Sequence, residues 1–265
     1  MLASTHVGQR IIVLWGDSPR IICDRRPGEE VTMSIQVPIQ LVDKSVAAFE
    51  REARQRMKAP APRHPRVITI SRQLGSGGRR IAEALRDSLN LTVWDKEILD
   101  VIADQSYFHY QARMFELLDE RAQSEIDAFA DSLMGNVNKH VYLHLLPRAV
   151  LIIAQNDAII LGRGAHLLLP KALKVRIVAP LDVRVRNLVK FDGLTEEVAR
   201  KKISTSDRER EAFIKELAGR LGQRGSDREP EYDLVVNTGA FGVQDAASLV
   251  LAAARQRLGF GTDPG

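Results

Sequence analysis

The sequence has only one cysteine, Cys23, among 265 residues. A single cysteine forms no internal disulfide and supplies no cysteine-type metal site. The N-terminal stretch 1–20 also lacks the apolar core of a signal peptide. These absences exclude an internally disulfide-stabilised fold and lead us to expect a protein of the reducing cytoplasm.

Long apolar runs and a strong net charge are lacking too. No segment reaches the length that crosses a bilayer, so we expect no membrane insertion. The 38 Lys and Arg residues only slightly exceed the 34 Asp and Glu residues, which gives a net charge of +4. This small excess gives no reason to expect a nucleic-acid partner, although a local arginine cluster can still bind phosphate groups.

Residues 1–60 are interpreted as an N-terminal extension. Short apolar runs at 11–15 and 20–23 flank Gly-Asp-Ser-Pro, a pattern that fits a small hairpin or, equally, a poorly ordered extension. The sequence becomes more regular after Met33, so translation starting at Met33 is one interpretation.

An amphipathic helix is predicted over residues 41–57. It can dock on the main domain or on a second copy of the chain, so a homo-oligomer through 41–57 is one interpretation. Its basic face is better explained by solvation than by a membrane surface. A stiff proline linker at 58–65 follows, and we set the start of the main domain there, giving a main domain over 66–260. The apolar stripe of the helix consists of Val42, Val46, Phe49, Ala53 and Met57.

The central motif of the chain is VITISRQLGSGGRRIA, from Val67 to Ala82. Its pattern predicts a buried strand, a glycine-rich turn and a helix in that order. This order brings backbone N–H groups and a helix N-terminus around one point, which suits a phosphate group. Glycine is needed because a side chain would keep the phosphate away from the backbone. The predicted phosphate-binding residues are Gly75, Ser76, Gly77, Gly78, Arg79 and Arg80.

The turn departs from the Walker pattern G-x-x-x-x-G-K-[ST]. With Gly77 as the glycine before the lysine, Gly78 occupies the lysine position and Arg79 the hydroxyl position. Arg72 stands at the first glycine position. The phosphate-binding cation would then come from Arg79 or Arg80, and we expect Arg79 to replace the lysine. The sequence identifies no metal ligand.

Four further strands are predicted, at 91–94, 158–161, 175–178 and 234–236, with helical patterns between them. Short strands separated by helices predict an α/β fold with a parallel sheet that is covered on both faces. The long segment 98–156 predicts a helical subdomain over the sheet.

Charged side chains follow two of these strands, where open α/β sheets bind ligands. Asp95 and Lys96 follow the second strand, and Arg163 lies between two glycines after the third. Gly-Arg-Gly directly after a buried strand is hard to explain by packing, so we interpret Arg163 as functional. Arg208 and Arg210, in a later charged run, are either further phosphate-binding cations or residues of a solvated helix face.

Six motifs follow one another in the chain: ITISRQLGSGGRRIA, WDKEIL, IILGRGAHLLL, VRIVAPLDVRV, TSDRERE and YDLVVNTG. Together they resemble the cytidylate kinase-like family of P-loop nucleoside monophosphate kinases, from about Val67 to Leu258. The resemblance implies a three-layer P-loop kinase-like domain with a five-stranded parallel sheet, a helical monophosphate-binding part and a lid. It also implies ATP and Mg2+ as cofactors and nucleotides as substrates.

The resemblance also implies roles for single residues. The glycine turn would hold the donor phosphates, Asp95 would lie near the acceptor monophosphate, and Arg163 would contact phosphate. The lid arginines Arg208 and Arg210 would close over the transferring phosphoryl group. The predicted catalytic residues are Arg79, Arg163, Arg208 and Arg210, and the predicted substrate-binding residues are Asp95, Lys96 and Arg163.

Cytidylate kinases differ from this chain at three places. They keep the Walker lysine, an aspartate where this chain has Gly164, and an acceptor-binding motif where this chain has residues 96–101. The function expected first is ATP-dependent phosphoryl transfer to a nucleoside monophosphate, with CMP or dCMP as the leading acceptor. The alternatives are a nucleotide-binding regulatory module without turnover and a kinase for another small acceptor.

Overall fold

A computed structural model describes residues 39–58, 64–132, 142–222 and 232–260, together with three short N-terminal strands. The chain divides into two compact units, Met1–Lys44 and Ser45–Gly265. Within the described ranges, no helix has both the length and the apolar character needed to span a bilayer.

The N-terminal unit contains a small antiparallel sheet in the order β1-β2-β3. Its strands are β1 (Arg10–Val13), β2 (Ile21–Asp24) and β3 (Met33–Ile35). The first two strands form the hairpin that was one of the two expectations for this stretch, and the third strand was not predicted. The Gly-Asp-Ser-Pro connection lies outside the described residues.

The larger unit is an α/β fold around a five-stranded parallel sheet, as predicted. Its strands run across the sheet in the order β5-β6-β4-β7-β8. From β4 the chain builds one side of the sheet with β5 and β6, and it then crosses to the other side for β7 and β8. The strand order therefore reverses at β4, the kind of position where open α/β sheets bind ligands. The strands are β4 (Val67–Arg72), β5 (Thr92–Trp94), β6 (Ala158–Leu161), β7 (Leu173–Val178) and β8 (Leu234–Asn237).

Every residue of β6 and the first four residues of β4 are buried, as expected for a sheet that helices cover on both faces. Helices α2 and α10 pack on one another and on the sheet, whereas α7 packs against β4 and α6 packs on α7. A short 3-10 turn precedes α4. The helices are α1 (Ile39–Met57), α2 (Gly78–Leu89), α3 (Lys96–Ile102), α4 (Phe108–Phe115), α5 (Glu120–Ser132), α6 (Tyr142–Ile153), α7 (Ala165–Leu168), α8 (Leu181–Asp192), α9 (Glu196–Arg220) and α10 (Val243–Leu258).

Helix α1 belongs to the larger unit from Ser45 onward. Val46, Phe49 and Ala53 are buried, and the Phe49 ring meets Trp94 edge-on with centroids 6.4 Å apart. The sequence placed the start of the main domain after the proline linker, whereas the compact unit begins before the linker, at Ser45. It begins there because this part of the apolar stripe packs within the unit. Self-association through 41–57 stays a prediction, and it would have to use the exposed face of the helix.

Replacing Phe49 by Ala is expected to lower the free energy of unfolding by about 3–5 kcal/mol, since it removes a buried aromatic ring and leaves a cavity. Urea unfolding measures the change. Met57→Ala is the matched control on the same helix, because Met57 is 75% exposed, and it should change stability by no more than about 0.5 kcal/mol. Equal stability of Phe49→Ala and the wild type would show that α1 lies outside the cooperative unit.

A second property of α1 depends on pH. Thr92 Oγ1 donates a hydrogen bond to Glu52 Oε1 at 3.5 Å. Burial, and next the negative charge of Asp157, raise the pKa of Glu52 from 4.5 to about 7. The folded protein therefore holds this proton more tightly than the unfolded chain does. The resulting stabilisation is full below about pH 4.5 and is lost as the pH rises through about 7.

Glu52→Gln should therefore raise the melting temperature relative to the wild type at about pH 8 but not at about pH 4. Melting curves between these two pH values measure the difference. Glu211→Gln, at an exposed position on α9, is the control and should follow the wild type throughout. A constant difference between Glu52→Gln and the wild type across the range would contradict the assignment.

Candidate active site

The glycine turn joins the end of β4 to the start of α2. Gly75 and Gly77 have φ angles of 81° and 79°, in the left-handed region that favours glycine. A Cβ atom on Gly75 would also lie 2.6 Å from the carbonyl oxygen of Arg184 in α8. Glycine at position 75 is therefore required both by the backbone conformation and by the close approach of α8.

Side chains from distant parts of the chain hold the carbonyl oxygens of this turn. Fixing these carbonyls orients their peptide groups, and the first amides of α2 have no acceptor within the helix. The turn is thereby organised to receive an anion. Sequence patterns missed these three donors because they lie 110 to 162 residues from their acceptors. The bonds are Arg184 Nε to Leu74 O at 2.7 Å, Asn187 Nδ2 to Gly75 O at 2.7 Å, and Thr238 Oγ1 to Ser76 O at 2.9 Å.

The two arginines that follow the glycines point to different partners. Arg79 pairs with Asp95 and, at 3.1 Å, with Glu97, and its side chain is 53% exposed. Asp95 also caps α3, because its Oδ1 accepts a hydrogen bond from a backbone N–H of that helix at 3.2 Å. The guanidinium of Arg80 instead lies 5.0 Å from the centre of the Phe191 ring. The structure thus brings Arg79 and Asp95 together, and the role of Arg79 in place of the lysine stays a prediction.

Arg163 lies at the end of β6 in an unusual conformation. Its φ angle is 54°, and both flanking glycines also have positive φ. A non-glycine residue in this region is uncommon, and such residues cluster at functional sites. Arg163 Nε is buried and has no hydrogen-bond partner among the described residues.

The carboxylate of Asp100 forms ion pairs with two cations near the end of β6. Arg163 Nη2 lies 2.5 Å and Lys96 Nζ 3.3 Å from Asp100 Oδ2. The Tyr142 hydroxyl donates to Asp100 Oδ1 at 2.6 Å, and burial together with this carboxylate raises the pKa of Tyr142. Asp100 was not predicted as a site residue, but it joins the predicted substrate-binding residues Lys96 and Arg163.

The two predicted lid arginines both lie on α9, but their side chains have different surroundings. Arg210 Nη1 donates to the carbonyl oxygen of Arg72 at 2.7 Å, and burial lowers the pKa of Arg210. Arg208 is exposed. Residues two apart on a helix face different directions, so the structure brings Arg210 to the glycine turn and leaves Arg208 in solvent.

Arg72, the last residue of β4, was not predicted as a site residue. Its Nη1 donates to the carbonyl oxygen of Leu161, at the end of the neighbouring strand β6, at 3.2 Å. Burial, and next the positive charge of Arg210, lower the pKa of Arg72 to about 10, so it remains a cation at neutral pH. The sequence contained one sign that Arg72 belongs to the site: it stands at the position of the first glycine in the Walker pattern.

The donors at this site fit the phosphate groups of a nucleoside triphosphate, since backbone amides and arginines are the usual ligands of phosphate. In the part of the chain that the structure describes, no three His, Cys, Asp or Glu side chains form a candidate metal cluster. Mg2+ in kinases needs only one or two carboxylates beside phosphate and water. Asp95 and Glu97, which contact the turn through Arg79, are carboxylates of this kind.

Comparison with known proteins gives partial matches to one curated protein and to solved structures. Uronate isomerase of Corynebacterium glutamicum is 27% identical over 154 residues, which are 57% of this chain and 28% of that protein. The crystal structure of an uncharacterized protein from Eubacterium ventriosum has a TM-score of 0.55 at 19% identity and covers 72% of this chain and 99% of its own. At this identity the likeness indicates a shared fold alone. Shikimate kinase from Bacteroides thetaiotaomicron gives a TM-score of 0.37 at 15% identity, covering 73% of this chain and 98% of its own.

A family model described as the cytidylate kinase-like family matches residues 67–240. This range is more than half of the chain, and it contains the glycine turn, the Gly-Arg-Gly turn and both predicted lid arginines, Arg208 and Arg210. The match confirms the resemblance drawn from the six motifs. The chain therefore belongs to the cytidylate kinase-like family.

Proposed function

We propose that the protein transfers a phosphoryl group from ATP to a nucleoside monophosphate, with CMP or dCMP as the leading acceptor. The observation that carries this proposal is the convergence of the glycine turn with several arginines at the carboxyl ends of adjacent strands. Phosphoryl transfer needs such positioning and neutralisation of charge, with little covalent help from the protein. The converging arginines are Arg72, Arg79, Arg163 and Arg210.

On the donor side, the glycine turn would bind the phosphates of ATP through its backbone amides. The side chains that hold its carbonyl oxygens keep these amides fixed, so little reorganisation is needed when the nucleotide binds. Arg210 reaches the end of β4 from α9, and it would place its charge against the transferring group when α9 closes. Mg2+, when bound, would neutralise part of the charge on the phosphate oxygens.

On the acceptor side, the group around Asp100 would receive the monophosphate. Asp100 forms ion pairs with both Arg163 and Lys96. An acceptor phosphate would compete for the same two cations, because both bind phosphate oxygens well. The free Nε of Arg163 offers one more donor for that phosphate. This arrangement supports an acceptor that carries a phosphate group.

Two observations favour the other functions. Arg79 is held by two carboxylates, and the turn lacks the hydroxyl of the Walker pattern, which favours nucleotide binding without turnover. The residues that follow Asp95 differ from the acceptor-binding motif of cytidylate kinases, which favours a kinase for another small acceptor. The same experiment separates all three.

An ATP-turnover screen against all nucleoside monophosphates should find activity, with CMP or dCMP the best acceptor. Arg163→Ala is expected to lower kcat by roughly 10²–10³-fold, as for the loss of one preorganised charge donor at a reacting phosphate. Arg186→Ala is the matched control, because Arg186 lies on the surface of α8 and pairs with Asp182 there. It should leave kcat unchanged.

Three results would redirect the assignment. Tight ATP binding without turnover on any acceptor would favour the regulatory module. Turnover restricted to a non-nucleotide acceptor would favour the third function. Full activity of Arg163→Ala would remove Arg163 from the catalytic residues.

Replacement of the two predicted lid arginines, Arg208 and Arg210, should differ in effect. Arg210→Ala is expected to lower kcat by roughly tenfold or more, because it removes a cation that contacts the end of β4. Arg208→Ala should lower it far less, since Arg208 is exposed. Steady-state kinetics of both variants with the best acceptor measure the difference. An equal loss in both would show that α9 turns or moves before the reaction, so that both arginines reach the phosphates.

A further inference from the structure

We propose that Arg72 supplies the phosphate-binding cation that a lysine supplies in the Walker pattern, and that Gly78 is a glycine because the Arg72 side chain occupies its space. This inference rests on the proposed function, since it concerns the donor phosphates at the same site. It differs from the expectation that Arg79 replaces the lysine.

The first argument is the packing of Gly78, which stands at the lysine position. A Cβ atom on Gly78 would lie 2.7 Å from Arg72 Cβ and 2.9 Å from Arg72 Cγ. These atoms belong to the stem of the arginine, close to the backbone, so they cannot easily move aside. Gly78 is not among the glycines with positive φ, so the backbone conformation gives no reason for a glycine there. The chain therefore has room for an arginine at 72 or a lysine at 78, but not for both.

The second argument is the course of the Arg72 side chain beyond its stem. It passes from the first turn of α2 to the end of β6, where Nη1 donates to the carbonyl oxygen of Leu161 at 3.2 Å. A Cβ atom on Gly162 would overlap Nη1. Two glycines thus flank one arginine, and its guanidinium lies between the glycine turn and the Gly-Arg-Gly turn. A cation bridging donor and acceptor phosphates would occupy this place.

The third argument is the charge around Arg72. Three arginines of the site have an acidic partner, whereas neither Arg72 nor Arg210 forms an ion pair with a carboxylate in the described ranges. Arg210 contacts the main chain of Arg72 and adds a second positive charge beside it. A phosphate group would give these two cations the direct anionic partner that they lack among the described carboxylates. The paired arginines are Arg79 with Asp95, Arg163 with Asp100 and Arg184 with Asp207.

The test relocates the cation. Arg72→Gly and Gly78→Lys are made singly and together, and the double variant carries the G-x-x-x-x-G-K spacing. We expect Arg72→Gly to weaken ATP binding by about tenfold to a hundredfold, the usual effect of losing a hydrogen-bonded charge. Gly78→Lys alone should also weaken binding, because two side chains compete for one space. The double variant should regain at least about tenfold in affinity over Arg72→Gly.

Two further variants separate charge from packing. Arg72→Met keeps a stem against Gly78 and removes the charge, so it should lose affinity while melting close to the wild type. Arg79→Ala should weaken ATP binding less than Arg72→Met does. Isothermal titration calorimetry with ATP measures the affinities, and thermal melting checks that each variant is folded.

Rescue by the double variant would support the proposal, since a purely structural role for Arg72 gives no reason for a lysine at 78 to restore affinity. Wild-type affinity in Arg72→Met, or a folded double variant no better than Arg72→Gly, would overturn it. A larger loss in Arg79→Ala than in Arg72→Met would assign the lysine role to Arg79 instead. If the wild type binds no nucleoside triphosphate, the proposed function fails, which is a different result from failure of the Arg72 variants.

Discussion

Repulsion between like charges is the constraint on which this end of the protein depends. Several arginines lie at the carboxyl ends of neighbouring strands, where they would repel one another if nothing opposed their charge. Acidic residues from the surrounding helices oppose it. Asp95 and Asp100 lie at the start and within α3, and Asp207 lies in α9. The acids thus hold the cations in place, and a phosphate that binds would take over part of their role.

The contacts of the glycine turn and of α9 indicate which part of the site is rigid and which part can move. The glycine turn is tied to α8 and to the end of β8 through its carbonyl oxygens, so its amides have little freedom. Arg210 and Asp207 both belong to α9, which packs on α8 through a small separate cluster that includes Val185 and Ile203. This cluster is distinct from the main core, and α8 is tied to the glycine turn. Helix α9 is therefore the part suited to move as a lid, over a turn and an α8 that stay fixed.

Local sequence patterns predicted the larger fold well. Each strand of the main sheet was found within about two residues, because β-branched runs bounded by glycine or charge are a local signal. The glycine turn and Arg163 were also placed correctly at strand ends, where open α/β sheets bind ligands, while their roles stay predictions. What remained hidden depends on long-range contacts. No local pattern around Arg184, Asn187 or Thr238 predicts that they bind the carbonyl oxygens of the glycine turn. Likewise, the pattern of residues 41–57 does not indicate whether Phe49 packs on Trp94 or on another chain.

The helix dipole gives a physical reason why, under the proposal made above, Arg72 would replace the missing lysine in preference to Arg79. The first turn of α2 carries Arg79 and Arg80 and no acidic residue, although the positive end of a helix disfavours cations. Arg79 is stabilised there by Asp95 and Glu97, and this pairing draws its charge away from the turn. Arg72 is not part of the helix: it ends β4, and its stem occupies the space that Gly78 leaves open. Placing the cation on β4 keeps positive charge at the phosphates while its backbone position is fixed by the central strand of the sheet. The variant glycine turn is thus consistent with a relocated cation, not with a lost one.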